Sequence, residues 1–180
     1  MIFALAAAFL LSGAPRFLGP PDQQPPPLSP GDAAPFFFGT VQNADAAGQD
    51  RFDLAQLVGP RAAMRRFPAK AVLLSFLPAA AKSAGKDLAA LESLYTQYKS
   101  RGLVVAALSP DPGRLLQARH VTYPVVEDPD SATARRYLGP NPRYPAAILI
   151  DRYGHVLSVK KGYRTAPALL LRTDLEAALR

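Results

Sequence analysis

Ala71-Val72-Leu73-Leu74-Ser75-Phe76-Leu77-Pro78-Ala79-Ala80-Ala81-Lys82-Ser83-Ala84 is the stretch on which the reading of this chain turns. Residues 71–76 make a short, nearly unbroken apolar run, as expected of a strand buried on both faces. A helix pattern follows from about Ala84 to Lys99. Leu88, Leu91, Leu94, Tyr95 and Tyr98 recur at spacings of three and four and so share one face. Gly102 ends that helix, and residues 103–108, Leu-Val-Val-Ala-Ala-Leu, repeat the buried-strand pattern. Residues 76–84 are therefore the junction between a strand end and a helix start.

Working downstream, residues 112–119 predict a helix with Pro112 near its first turn. Residues 123–126 read as a short extended piece, and Ser131 is placed as the cap of a helix running to about Tyr137. Residues 145–150 and 156–159 read as two further strands. Asp151-Arg152-Tyr153-Gly154 turns the chain between them, so they should pair antiparallel. Thr165 is placed as the cap of a last helix through Leu179, with Pro167 in its first turn. The order predicts an α/β fold: a three-layer α/β/α sandwich around a mixed sheet. Its parallel strands come first, followed by an antiparallel C-terminal hairpin and a final helix.

Working upstream, residues 15–35 hold eight prolines, including Pro25-Pro26-Pro27. Proline fixes φ and removes a donor, so this stretch favours extended polyproline conformation. Residues 2–11 are an apolar run too short for a bilayer span of about 20 residues, but long enough for the hydrophobic region of an export signal. Ser12-Gly13-Ala14 offers small residues for a cleavage after Ala14, although no Lys or Arg precedes the run and Pro15 follows. The expected organisation is a signal-like segment at 1–14, a Pro-rich linker at 15–31 and one folded domain at 32–180. Membrane contact is expected only through residues 1–14, and the protein is expected in the bacterial periplasm or tethered in the envelope.

The 180 residues are 49% hydrophobic, enough for a core, and carry a formal charge of +7. Part of that charge is clustered at Arg61, Arg65, Arg66 and Lys70, at Arg135, Arg136 and Arg143, and at Lys160, Lys161 and Arg164. No nucleic-acid motif accompanies these clusters, so they read as a solvated basic surface. The chain contains no cysteine, which excludes disulfides, thiolate metal sites and thiol nucleophiles. No metal-ligand cluster and no phosphate-cradling glycine loop is visible, and no cofactor is implied. His120 and His155 are expected to be exposed polar residues.

This order of elements, with its motifs, resembles the thioredoxin-like superfamily and, within it, the TlpA/ResA-like and redoxin (AhpC/TSA-type) group. Gly31-Asp32-Ala33-Ala34-Pro35-Phe36 is similar to the family's opening G-D-x-A-P-x-F, and Phe52 to Leu57 to its x-L-x-x-L segment. Residues 71–76 resemble the strand that delivers the active site. Asp128-Pro129-Asp130 with Ala134 and Tyr137 resembles D-P-D-x-x-x-A-x-x-Y. Tyr144-Pro145 followed by residues 148–154 resembles P-x-x-x-L-I-D-x-x-G. The resemblance implies a cis proline at Pro145, preceded by Tyr144, beside the redox motif, with nearby backbone groups able to pair with an extended peptide. The stretch Gly139-Pro140-Asn141-Pro142-Arg143 is longer and richer in proline than the family's turn, which implies a reshaped loop.

The resemblance also fixes where two sulfurs are missing. The family's Cys-x-x-Cys falls on Ala81, Lys82, Ser83 and Ala84. Thiol–disulfide exchange requires a thiolate, and peroxide reduction in the related peroxiredoxins requires a peroxidatic cysteine. Alanine methyl groups do neither. Ser83 lacks an activating base nearby in sequence. Leu77 and Ala80 stand where the family often has tryptophan, and Ser75 where Asp or Asn is common. These wider changes favour natural loss of the redox motif over a two-site replacement of an active enzyme.

Three functions remain open on the sequence. The first is a non-catalytic envelope module that binds an extended peptide or a protein through Tyr144, Pro145, Pro78 and Lys82. The second is a TlpA-family thiol–disulfide oxidoreductase, or a peroxiredoxin-like antioxidant protein, in a Cys-to-Ala form. The third is a basic structural module that binds acidic surfaces.

Overall fold

The structure is a computed structural model that describes residues 26–64, 69–78, 84–162 and 167–180, with the side chains of 167–170 outside the description. The Thr165 cap and residues 1–25 lie outside the described residues.

The apolar run becomes β3 (Ala71–Phe76), buried at every position and central in a five-stranded sheet. Its neighbour β4 (Leu103–Ser109) runs parallel, and β5 (Val125–Glu127) pairs parallel with β4. On the other side β6 (Ala146–Asp151) pairs antiparallel with β3, and β7 (Val156–Lys161) antiparallel with β6. The sheet order is thus β5-β4-β3-β6-β7. Further elements precede it. β1 (Phe38–Thr40) and β2 (Arg51–Asp53) form a separate antiparallel pair around the short helix α1 (Ala44–Ala47). The sequence reading saw no strands there. Three-residue strands give too little alternation to register.

The period of two in β3 divides its side chains between two cores. Ala71 and Leu73 face a cluster built with Leu88, Leu91, Leu94 and Tyr98 of α2 (Ala84–Tyr98), Leu115 of α3 (Pro112–Ala118), and Leu171 and Leu175 of α5 (Pro167–Ala178). Val72, Leu74 and Phe76 face Phe37, Phe52, Leu54 and the residues of α4 (Ala132–Leu138). This is the three-layer α/β/α arrangement, with the β1–β2 pair sharing the second face. Phe37 stacks on Phe52 at 5.5 Å, and Tyr137 meets Phe37 at 6.0 Å and Phe76 at 5.6 Å. The Tyr137 hydroxyl donates to the Pro35 carbonyl, and burial pushes its pKa far above the usual phenol range. Gly102 closes α2 and the short helical turn after it with φ +101; a Cβ there would sit 3.0 Å from Lys70 Cγ.

Ser131 does not cap α4. Its φ is +53, in the left-handed region, and its side chain makes no cap hydrogen bond. Asp128 does the work from three residues upstream: its two carboxylate oxygens accept from the N–H groups of Thr133 at 2.7 Å and Ala134 at 3.0 Å. The carboxylate is buried, so these bonds satisfy a group that could not stay dry alone. The chain also contacts the domain earlier than its proline content suggests. Leu28 N donates to Tyr137 O, Gly31 N to Val156 O, and Val156 N to Asp32 O. Residues 28–33 thereby form a strap from the end of α4 to the start of β7.

Two predictions follow from these contacts. Asp128→Ala strands two helix N–H groups and should cost about 2 kcal/mol in urea unfolding; an unchanged midpoint would refute the capping role. Glu176 clips α5 to α2, accepting from Arg101 at 3.0 and 3.2 Å and from the Tyr98 hydroxyl at 2.8 Å. Those donors, Arg101 foremost, hold its carboxyl below the usual range. Its contribution is therefore complete above the ordinary carboxylate pKa and disappears as pH falls through the lowered value. Glu176→Gln should flatten the acid limb of the stability–pH curve relative to the parent chain.

Candidate functional site

The β3–β6 register pairs Phe76 with Ala146. Continued by two residues, it sets Leu77 level with Pro145 and Pro78 level with Tyr144. Leu77 N still donates to Leu108 O at 2.9 Å, so the chain stays attached to β4 past the strand end. The Tyr144–Pro145 peptide is cis, and the Pro145 carbonyl accepts from Gly162 N at 2.8 Å. Pro78, Tyr144 and Pro145 are each half-buried. They form one rim at the C-terminal end of β3.

Tyr144 has a divided role. Its ring packs on the cluster that holds Phe76, Tyr137 and Ala146, and its hydroxyl is buried without a hydrogen-bond partner. Its backbone N–H and C=O make no backbone hydrogen bond among the described residues. An unpaired, half-exposed peptide unit beside a strand end can pair with a segment laid across it.

α2 begins at Ala84, which is buried against Leu77 and Leu88. Ala81, Lys82 and Ser83 lie outside the described residues. Of the residues singled out in the sequence, then, the structure brings Pro78, Tyr144 and Pro145 together at one rim. It also places Ala84 in the core beneath the helix start. The 139–143 loop leaves Pro140, Asn141 and Arg143 exposed. Arg143 adjoins the rim, its Cβ 4.0 Å from a Cβ built on Gly162, and Lys161 Nζ reaches the Leu138 carbonyl at 3.5 Å. The sequence counted both cations only as surface charge; their place beside the rim comes from the sheet register. His120 and His155 are exposed, and His155 Nδ1 stands 3.7 Å from Asp151 at the far end of β6.

Beneath the rim, Ser75 pairs in register with Ala107 and Ala147, between small side chains. Its hydroxyl is fully buried and has no hydrogen-bond partner. The arrangement can hold an extended segment through backbone groups and cations. With no cysteine in the chain, it cannot carry out thiol–disulfide exchange.

A parallel β3–β4 pair with a helical crossover, continued by an antiparallel hairpin, places this domain in the thioredoxin-like class. A crystal structure from Chlorobium tepidum, assigned as a thiol:disulfide interchange protein DsbE, superposes with a TM-score of 0.69 at 25% identity, covering 85% of this chain and 99% of that one. The thioredoxin domain of a Bacteroides vulgatus thiol-disulfide oxidoreductase shares the fold, with a TM-score of 0.62 at 19% identity over 84% of this chain and 99% of that one. In sequence, the thiol-disulfide oxidoreductase ResA of Bacillus thuringiensis is 28% identical over 123 residues, 66% of this chain and 70% of that protein. The AhpC/TSA family matches residues 31–159, and the chain belongs to that family.

A buried hydroxyl without a partner costs about 1–3 kcal/mol relative to a satisfied one. Ser75→Ala should therefore leave stability unchanged or raise it by up to about 1 kcal/mol in urea unfolding. A loss above about 1 kcal/mol would show that the hydroxyl is engaged in solution.

Proposed function

We propose that this protein is a thioredoxin-like module of the cell envelope that binds an extended peptide without redox chemistry. The observation that carries the reading is the backbone of Tyr144 at the strand-end rim, which has no backbone hydrogen bond among the described residues, in a chain without cysteine. A bound segment would lie antiparallel to residues 143–145, accept from the Tyr144 N–H and donate to its carbonyl. Pro78 would form the opposite wall, and Lys82 is assigned to the same rim by its place in the sequence. Arg143 and Lys161 favour a segment with acidic residues. The apolar run at residues 2–11, followed by the proline-rich stretch, supports export and a stiff tether.

The competing reading is a thiol–disulfide oxidoreductase in cysteine-free form, favoured by the similarity to the thiol-disulfide oxidoreductase ResA. One experiment separates the two. Peptides selected for capture by the unmodified protein are resynthesised with a single backbone N-methyl group at each position in turn. Loss of one backbone hydrogen bond at the residue facing Tyr144 should weaken binding by about tenfold. In parallel, the Ala81→Cys/Ala84→Cys variant should reduce insulin disulfides no faster than the parent chain. Rapid reduction by that variant, with no peptide captured by the parent, would sink the binding reading and support the enzyme.

A further inference from the structure

Exposed large apolar side chains on this domain are not scattered. Among the described residues they are Phe36 at 50%, Phe38 at 67%, Met64 at 91%, Tyr153 at 69% and Leu157 at 39% exposure. Phe38 lies under the Arg51 guanidinium, 4.3 Å from its ring centre, beside β5. The other four collect at the opposite end of the sheet from Pro145, which we call the base. Gly59 N donates to the Arg152 carbonyl at 2.8 Å and fastens the 59–64 segment to the β6–β7 turn. A Cβ built on Gly59 would lie 3.3 Å from Phe36 Cζ and 3.7 Å from the Tyr153 carbonyl, so these three meet. Tyr153 then stands between two shallow concavities. One is lined by Gly59, Pro60, Ala63 and Arg152, next to Met64; the other by Leu157, Ala177 and Ala178 together with Lys70, Asp151, Arg152 and Asp174. The result is a surface of exposed apolar side chains interspersed with charged ones.

The charges around it are mostly one sign. Arg61 and Arg152 are exposed and have no ion-pair partner among the described residues. Lys70 and Lys99 lie at the same end, Lys70 Nζ reaching the Leu179 carbonyl at 3.3 Å and Lys99 Nζ resting 5.4 Å from the Tyr95 ring centre. The acidic groups here are engaged within the protein. Asp151 accepts from the Tyr153 and His155 N–H groups, Asp174 pairs with Lys160, and Glu176 with Arg101.

We propose that the base docks onto an anionic lipid surface, with Phe36, Met64, Tyr153 and Leu157 entering the headgroup layer and Arg61 and Arg152 bound to lipid phosphates. Exposed aromatic and aliphatic side chains ringed by unpaired arginine are the composition that an interfacial surface requires. The length of chain before the domain agrees. Leu28 joins the domain at Tyr137, near the site end. The fifteen residues 12–26, extended, reach about 45 Å. A six-residue strand rises roughly 20 Å. The leader can therefore pass from a bilayer beneath the base to the strap. This rests on the envelope-tethered reading only for how the domain comes to a bilayer. Docked this way, the rim at Pro145 faces away from the membrane.

The absence of tryptophan makes a direct test possible. Tyr153→Trp and Asn141→Trp each give the full chain a single tryptophan, at the base and at the site end respectively. On phosphatidylcholine vesicles with about 30% phosphatidylglycerol, Trp fluorescence of the Tyr153→Trp protein should shift to the blue and be quenched about twofold by brominated lipid. The Asn141→Trp protein should show neither effect. Arg61→Glu with Arg152→Glu in the Tyr153→Trp background should abolish the quenching, while the chain still sediments with the vesicles through its N-terminal apolar run. If the chain sediments but the base tryptophan stays unquenched, docking is refuted and the tether stands. Equal quenching at both positions, or a blue shift that depends on protein concentration without vesicles, also refutes it. Failure to sediment refutes both docking and tether.

Discussion

Everything in this domain hangs on the burial of β3. The strand is paired along both edges and covered on both faces, and none of its six residues reaches solvent. A strand in that position has no freedom to slip, because a shift of one residue would exchange the side chains of the two cores. Val72, Leu74 and Phe76 would then meet α2, and Leu73 would meet the Phe37–Phe52 stack. The register with β6 is fixed by the same constraint, and with it the level at which Pro145 and Tyr144 stand beside Leu77 and Pro78. The rim is thus a product of core packing and does not depend on the residues at the start of α2. This explains in physical terms how the rim is positioned in a redoxin-family domain without cysteine.

What the sequence disclosed followed from pattern length. The six-residue apolar run of β3, the fifteen-residue helix with Leu88, Leu91 and Leu94 on one face, and the turn at Asp151 to Gly154 were all readable, because each repeats its period long enough to be recognised. The β1–β2 pair was not, since each strand has three residues and Gly39 interrupts the first. That glycine is required by a contact no local pattern reveals: a Cβ there would fall 2.6 Å from Val126 Cγ1. The α4 cap was misassigned for a similar reason. Ser131 sits at the expected offset, but the intervening 3-10 turn carries Asp128 to the helix start.

The candidate site was legible in part. The β3–β6 register sets Pro78 level with Tyr144 beside Pro145, while Arg143 and Lys161 join them only through sheet register and the course of the 139–143 loop. The apolar base was not legible at all. Phe36, Met64 and Tyr153 look like core residues in a sequence, and only the folded arrangement shows that nothing among the described residues covers them.

The strap at residues 28–33 has a mechanical meaning. It runs antiparallel to β7 and is held by Gly31, Asp32 and the Ala33–His155 bridge. A pull on the leader toward a bilayer beneath the base runs opposite to the course of the strap, so it loads the Leu28–Tyr137 hydrogen bond before those at Val156. The Tyr137 hydroxyl on the Pro35 carbonyl and the Phe37 ring in the aromatic stack lie behind it as a second stop. Tension applied through the N-terminus is thereby met first at the end of α4 and then at the edge of the sheet and the aromatic core.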